Sequence, residues 1–595
     1  MKPLLRRQDP VHNRSTNYRH LAVIAFLTLC ISTFAGDKSD KNKESTSDIK
    51  FTSRAELVLV PTIVTDKSGT HIGGLKKEDF TVIENGSARQ IATFEEIASA
   101  PERLSRRPAR NEFTNDVNSG NRSTRRITLI VLDVLNTPFM DQSYARNQLL
   151  KYLSQSLDRR EPTGLYLLDR RGIHVVHDFT SDPSVLIAAL HKVMGDPVQL
   201  VDTPAESPAL SDAQAPSGVL PGSPNPLPAT ALMSAVSSEA AQFQSMLQQS
   251  AQNFQSFQQR IAITYTLDAM QQVTRMLAGV PGRKALIWAG GGFPFSVSDN
   301  TMALAPAGRD TLSDVLPMYE HTWELLNEAQ IALYPIDVKG LQTNMPSASD
   351  DLSGGGPNAG IDYIRSASWR QLDTQSTFES FAAATGGRAY FNSNDLVKGF
   401  RDAVRDSAQY YMIGYYLDRS NTKPGWRKLA VKVKREHVEV RARSGFFVTN
   451  ATANPEISHD ADIASALKSP LDYTALSLAA HWDDVAASKE PGKKSIRFIV
   501  HVDPDPNLID AADDNHVVLE FVASAMTPAG EKAGAPTGKK YDIHPKADAL
   551  ATIQQKGISY RGALELAPGE YNVRIVVRDG LSGRIGSVAA PLKVE

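Results

Sequence analysis

The sequence almost lacks cysteine, which excludes one broad class of chemistry. Cys30 is the only cysteine among 595 residues, and it lies in the most apolar stretch near the N-terminus. If that stretch is removed during export, the remaining chain has no cysteine at all. Disulfide bonds and thiol chemistry are then excluded.

Excess charge of either sign is also lacking. The formal net charge is −2, and no dense Lys/Arg stripe occurs, so nucleic acid is not an expected partner. The common hydrolase patterns G-x-S-x-G and H-E-x-x-H are absent. GVPGRKA lacks the spacing of a phosphate-binding loop and precedes a strand rather than a helix. We therefore predict that the protein is not an enzyme.

The N-terminal 35 residues have the features of an export signal. Several Lys and Arg residues precede the short apolar run LAVIAFLTLCISTFA, and the polar stretch GDKSDKNKESTSD follows it. Small residues at Thr33 and Ala35 predict cleavage before Gly36. The run is short for a membrane span, which needs about 20 apolar residues. An uncleaved membrane anchor is the alternative. The predicted location is the periplasm, the cell envelope or the extracellular space.

Strand-like patterns occur on both sides of a central region. After a charged tether at 36–50, alternation of Val58, Val60, Thr62 and Val64 with their neighbours predicts a small β module at 51–97. Residues 98–125 are predicted to be a linker. At the other end, the patterns predict a closing β-hairpin segment at 419–450 around Arg435 to His437, a linker at 451–469 and a β-sandwich at 470–595.

In the central region, 126–418, strand and helix patterns alternate. Apolar strands are predicted at 127–132, 164–169, 172–179, 284–290 and 330–337, with amphipathic helical patterns between several of them. This order predicts a doubly wound, mainly parallel sheet of the Rossmann-like type. The predicted fold class is thus multidomain α/β plus all-β. Inserts interrupt the pattern at 196–260 and 340–368.

A long polar helix is predicted from about Ser237 to Met276. The segment is rich in Gln, Ser and Ala. Its apolar positions are Phe243, Met246, Phe254, Phe257 and Ile261.

Six segments in this order carry a resemblance to a known family: LKKEDFTVIENGSARQIATFEE, ITLIVLDVLNTP, PGRKALIWAGGGFPF, NEAQIALYPIDVKGL, FESFAAATGGRAYF and YYMIGYYLDRSNTKPGWRKLAVKV. Together they resemble the von Willebrand factor type A-related family of bacterial exported proteins. The resemblance implies a von Willebrand A-like domain, with a metal-ion-dependent adhesion site at the sheet edge that binds a protein partner.

The residues of that implied metal site are only partly present. The family's first loop, D-x-S-x-S, corresponds to Asp133, Leu135 and Thr137, and Asn136 offers a carbonyl oxygen beside them. The second-loop threonine corresponds to Thr266 or Thr264. Where the family has a third-loop threonine and aspartate, this chain has Ala289 and Gly290. A Mg²⁺ or Ca²⁺ ion, which needs several oxygen ligands, would bind weakly here, so no cofactor is expected.

Other residues at the same edge are candidates for partner binding. Instead of binding a metal ion, Asp133 has an alternative, structural role, in which its carboxylate accepts backbone N–H groups and closes the loop before Pro138. Gly290, Gly291 and Gly292 are predicted to form a turn over the edge. Asp337 either lines the crevice or caps the loop before Lys339.

The favoured functional prediction is an exported, non-enzymatic, adhesion-type protein that binds one or more protein partners. Two alternatives remain: a sheet-edge crevice that binds a small molecule or carries an enzymatic activity, and a structural protein of the cell envelope. The membrane is a partner only if the N-terminal segment stays uncleaved.

Overall fold

The computed structural model describes residues 55–97, 103–104, 111–116, 122–123, 127–157, 162–194, 229–297, 304, 314–341, 374–406, 409–418, 422–448, 455–510 and 513–595. They belong to one unit, Thr52–Glu595. The leader predicted at 1–35 and the tether at 36–50 lie outside the described residues, as do most of the linker at 98–125 and of the insert at 340–368.

Strands are numbered along the chain as β1 (Ala55–Thr65), β2 (Phe80–Glu84), β3 (Ser87–Arg89), β4 (Thr93–Ile97), β5 (Arg103–Leu104), β6 (Glu112–Thr114), β7 (Arg122–Ser123), β8 (Thr128–Asp133), β9 (Thr163–Asp169), β10 (Gly172–Thr180), β11 (Lys284–Gly290), β12 (Ile331–Asp337), β13 (Tyr410–Asp418), β14 (Gly425–Val433), β15 (Glu439–Arg441), β16 (Gly445–Val448), β17 (Leu478–Ala487), β18 (Lys494–Val502), β19 (Val517–Met526), β20 (Lys532–Ile543), β21 (Ile558–Leu566), β22 (Gly569–Asp579) and β23 (Ile585–Val594). The α-helices are α1 (Phe139–Gln155), α2 (Pro183–Met194), α3 (Ala229–Leu277), α4 (Leu316–Glu328), α5 (374–385), α6 (Leu396–Asp406), α7 (Pro455–Lys468) and α8 (Ala547–Lys556).

Two four-stranded sheets, formed by strands from 55–97 and from 410–448, share one apolar core. Their strand orders are β15-β1-β13-β4 and β16-β14-β2-β3, and alternate residues of β1, such as Val58 and Val60, point into that core. The segments predicted as a β module (51–97) and as a closing segment (419–450) therefore lie together with β13. The two strands on either side of the turn at 434–437, β14 and β15, lie in different sheets.

A five-stranded sheet lies between two layers of helix. Its order is β10-β9-β8-β11-β12, with parallel pairing in β9-β8, β8-β11 and β11-β12 and antiparallel pairing in β10-β9. Consecutive residues of β8 face opposite layers: Leu129 and Val131 pack in the core that includes α3 and α4, whereas Ile130 and Leu132 pack in the core that includes α1 and α6. Because β8 is buried on both faces, its sequence is a continuous apolar run.

The predicted fold class, multidomain α/β with a doubly wound, mainly parallel-sheet domain, is wrong. Among the described residues, 42% lie in strands against 30% in helices, and the sheets they form are mainly antiparallel, with one mixed sheet. The alternation of helix and strand patterns in the sequence did not show which strands pair with which, or in which direction. The tight turn at Arg170–Arg171 sends β10 back antiparallel to β9, and β13 pairs antiparallel with β1 outside the mixed sheet.

The C-terminal part consists of two further antiparallel sheets around one core. Their orders are β21-β18-β17-β6 and β20-β19-β22-β23, and inward residues such as Phe498, Phe521 and Ile575 fill the space between them. Two helices that the sequence pattern did not predict belong here. Helix α7 occupies most of the stretch predicted as a linker, and α8 lies between β20 and β21.

The long helix predicted from about Ser237 to Met276 is present as α3, and its two halves differ. In the second half, residues such as Ile263, Leu267 and Met270 are buried in the core beside the mixed sheet. Earlier in the helix, every described side chain from Gln242 to Phe257 is exposed. No helix among the described residues combines the length and the apolar character that crossing a membrane requires.

Candidate functional site

Asp133 is the last residue of β8 and lies at the centre of the candidate site. The side chain is completely buried. One carboxylate oxygen, Oδ1, accepts the backbone N–H of Asn136 at 3.0 Å. The other, Oδ2, accepts Asn136 Nδ2 at 2.8 Å and the indole Nε1 of Trp288 at 2.9 Å. Both oxygens are thus engaged by protein donors.

Burial and hydrogen bonding act in opposite directions on the Asp133 carboxyl. Removal from water raises its pKa to about 6, although the bonds from Asn136 and Trp288 oppose that rise. At neutral pH the group is therefore mostly ionised, and these donors compensate the buried charge.

The other sequence-predicted ligands do come together around Asp133, but they bond to one another. Asn136 Nδ2 also donates to Thr266 Oγ1 at 2.9 Å, and Thr266 is fully buried. Thr137 Oγ1 donates to the backbone oxygen of Asp133 and accepts the backbone N–H of Gly291 at 2.8 Å. Thr264, the alternative to Thr266, bonds to Arg260 O within its own helix.

The glycines at the end of β11 allow close packing at this edge. Gly290 is in register with Asp133 on one side and with Asp337 on the other. A Cβ on Gly291 would lie 2.9 Å from Asn136 O and 3.0 Å from Pro138 Cδ, so the first loop could not keep its position. The glycines therefore allow the loop that carries Asn136 and Thr137 to lie directly on the strand end.

Asp337 lies at the end of the neighbouring strand β12, with 3% of its surface exposed. Its Oδ1 accepts the backbone N–H of Lys339 at 3.0 Å, which is the loop-capping alternative. Burial is the main cause that raises the pKa of this carboxyl. Asp337 thus closes its own loop, as Asp133 closes the loop after β8.

Two residues of the network were missed by the sequence analysis. Trp288 looked like one more apolar core residue of β11, yet its indole N–H donates to Asp133. Gln142 of α1 donates from Nε2 to Val134 O at 3.1 Å and to Thr137 O at 2.9 Å. A buried tryptophan N–H and a buried glutamine each need a partner, but the sequence does not name it.

The arrangement favours a structural role for this network. The side-chain oxygens of Asp133, Thr137 and Thr266 already accept or donate hydrogen bonds within the protein, and these three side chains are buried. A cation entering here would have to replace those bonds as well as lose its own water. Exposed apolar side chains lie near this edge: Phe139 is 46% exposed, Met140 82% and Leu341 62%.

Comparison with models of known protein families and with curated proteins found no match for this chain. The resemblance to the von Willebrand factor type A-related family stays a prediction.

Proposed function

We propose that the protein is an exported, non-enzymatic binding protein that associates through the stretch Phe243–Ile261 of α3. The observation that carries this proposal is a row of exposed apolar side chains on that stretch. Phe243 is 63% exposed, Leu247 43%, Phe254 56% and Phe257 60%. Contiguous exposed apolar residues mark protein interaction surfaces more often than isolated ones do.

The spacing of the row fits another helix. The apolar residues of the row, with the polar Ser250 at one position, follow one another at alternating steps of four and three residues: Phe243, Leu247, Ser250, Phe254, Phe257 and Ile261. This is the seven-residue repeat with which two α-helices pack along a common seam. Because a polar helix gains most of its stability from packing, such a row supports a helical partner.

Charge supports a second copy of this chain as that partner. From Ala229 to Gln259 the helix carries one charged residue, Glu239. Two identical copies of this segment therefore meet with little like-charge repulsion, and a charged partner helix would find almost no counter-charge. We therefore propose that two copies of this chain associate through α3, and binding to a different protein is the alternative.

The experiment measures the molar mass of the purified chain by sedimentation velocity over a range of concentrations. Phe254→Gln combined with Phe257→Gln is expected to convert a dimer into a monomer. Ser245→Ala combined with Gln249→Ala, which alters exposed residues outside the row, is the matched control and should leave the dimer intact.

A second control is Met140→Gln combined with Leu341→Gln, which removes exposed apolar surface at the edge of the mixed sheet instead. A monomeric parent chain would overturn the proposal. So would dissociation caused by the edge variant and not by the row variant, because the contact surface would then be the sheet edge. Export is tested separately, by fractionating cells that produce the full chain.

A further inference from the structure

A cluster of two histidines and an aspartate lies at one end of the C-terminal sandwich, away from the site at Asp133. His516 immediately precedes β19 and His544 immediately follows β20. These strands are antiparallel neighbours with Val517 opposite Ile543, so the two histidines are the next facing pair. Their rings stack with centroids 4.4 Å apart and an interplanar angle of 11°.

The turn before β19 supplies the third group. Asp514 and Asn515 have φ values of 47° and 57°, and the turn returns Asp513 towards His516. Asp513 Oδ2 lies 3.0 Å from His516 Nδ1. The backbone of His516 is held by N–H bonds to Asp510 O at 3.2 Å and Asp513 O at 2.9 Å. One ligand atom from each of Asp513, His516 and His544 lies within 4.8 Å of the other two.

The other ring nitrogen of His516 makes this cluster more than a chance grouping. Nε2 lies 2.8 Å from Asp542 Oδ1, and Lys540 Nζ lies 3.2 Å from the other oxygen of Asp542. A carboxylate can only accept, so Nε2 carries the proton there, and the lone pair of a neutral ring is then on Nδ1. That lone pair faces the Asp513 carboxylate, so a proton or a cation must lie between them.

We propose that Asp513, His516 and His544 bind one divalent transition-metal ion, with Zn²⁺ as the best fit. Two imidazoles and a carboxylate form a ligand set that suits zinc, with a fourth position left to water. Asp542 is the outer carboxylate that orients a metal-binding histidine through its other nitrogen. Neighbouring ligand atoms of a tetrahedral zinc ion lie about 3.3 Å apart. The exposed side chains of Asp513 and His544 must therefore draw in, and the His544 ring must turn out of its stack with His516 so that its in-plane lone pair points at the ion.

The test is isothermal titration of the tag-free full chain with zinc chloride. One ion per chain with micromolar or tighter affinity is expected. His516→Gln and His544→Gln should each weaken binding at least about 100-fold, and Asp542→Asn about 10-fold to 100-fold, because it removes only the orienting carboxylate. His501→Gln is the matched control: His501 lies in the same sandwich and bonds through Nδ1 to Ser559 Oγ at 3.0 Å.

A second readout separates lost ligands from lost folding. Zinc should raise the temperature of unfolding of the parent chain and of His501→Gln, but not that of His544→Gln. If a histidine variant does not fold, Asp513→Asn replaces it. The absence of binding at millimolar zinc would overturn the proposal, and so would stoichiometric binding that survives His544→Gln. In either case His516 is simply a protonated imidazole between two aspartates.

Discussion

The indole nitrogen of Trp288 donates a hydrogen bond of 2.9 Å to Oδ2 of Asp133. The two residues end up side by side because β8 and β11 are parallel neighbours, with Gly290 in register with Asp133 and Trp288 with Val131. The bond adds a second side-chain donor to the one that Asn136 supplies. Together these donors stabilise the ionised carboxylate, and the hydrogen bonds that Asp133 accepts from the described residues come from uncharged groups.

Trp288→Phe should destabilise the protein in a pH-dependent way. The folded-state pKa of Asp133 is about 6, above its usual value of about 3.9, so its titration lowers stability as pH rises from about 4 to 6. Losing the indole donor raises the pKa of Asp133 further, so the loss of stability continues to higher pH. The cavity left by the smaller ring adds a cost that does not depend on pH. The pH-dependent part of the cost should be small near pH 4 and reach about 1–3 kcal/mol at pH 8.

Chemical denaturation of parent and variant at several pH values measures this cost. Trp482→Phe is the control, since the Trp482 indole bonds to Pro591 O and touches no titrating carboxyl there. A cost for Trp288→Phe that is the same at pH 4 and pH 8 would contradict the prediction.

Asp133→Ala should change stability but not the response to divalent cations. The substitution leaves the donors of Asn136 and Trp288 without their acceptor, which should cost about 2–4 kcal/mol. Titration calorimetry with Mg²⁺ and Ca²⁺ should give the same weak heats for parent and variant. Micromolar Mg²⁺ binding that disappears in Asp133→Ala would show that the carboxylate is a metal ligand after all.

Lys284 is another buried ionisable group that sets a pH dependence. Burial lowers its pKa to about 7, and its Nζ donates to the carbonyl oxygen of Ala329 at 2.6 Å. Between about pH 7 and 10.5 the unfolded chain binds this proton more tightly than the folded chain. Stability should therefore rise with pH in that window, by up to about 1.4 kcal/mol per pH unit.

Lys284→Met should remove this rise and make the protein more stable at pH 7. Unfolding free energies at pH 7, 8 and 9 for parent and variant give the two slopes. Lys593→Met is the control, since the Lys593 side chain is 70% exposed. Parallel slopes for the parent and Lys284→Met would show that the lysine is not desolvated in solution.

Local patterns predicted several elements well and their pairing poorly. The apolar run at 127–132 and the polar, periodic stretch before Met276 were recognisable because burial on two faces and helical periodicity leave a local trace. The pairing of Ala55 with Asp418 leaves none, because it joins segments far apart in sequence. Sequence order alone therefore did not show that β13 joins the sheet of β1.

The site shows the same division. Asp133, Asn136 and Thr137 were found because an apolar run that ends in Asp and turns at once into Asn and Thr is visible in one sequence, whereas Thr266 was proposed only from the resemblance to the family. Their mutual bonding was not visible, since it depends on how the loop after β8 packs against α3 and the end of β11. The sequence did carry a signal for His516 and His544 that was overlooked: one histidine directly precedes β19 and the other directly follows β20. Only the strand register brings them face to face.

Gly279→Ala should weaken the contact between the end of α3 and the C-terminal sandwich. Thr474 caps the helix: its backbone N–H bonds to Arg275 O at 3.1 Å and its Oγ1 donates to Met276 O at 2.6 Å. The same Oγ1 accepts Gly279 N at 2.8 Å. A Cβ on Gly279 would lie 1.8 Å from Thr474 O, so the cap must move away and the last carbonyls of α3 lose their donors.

We expect a loss of at least about 2 kcal/mol of stability and faster amide exchange at Thr474. Gly399→Ala is the matched control. It makes the same substitution inside α6, where the nearest atoms would be 3.4 Å from the new Cβ, and it should be neutral or stabilising. Equal stability and unchanged exchange in Gly279→Ala would mean that the sandwich does not hold this helix end, because a rigid contact cannot admit the added methyl group without cost.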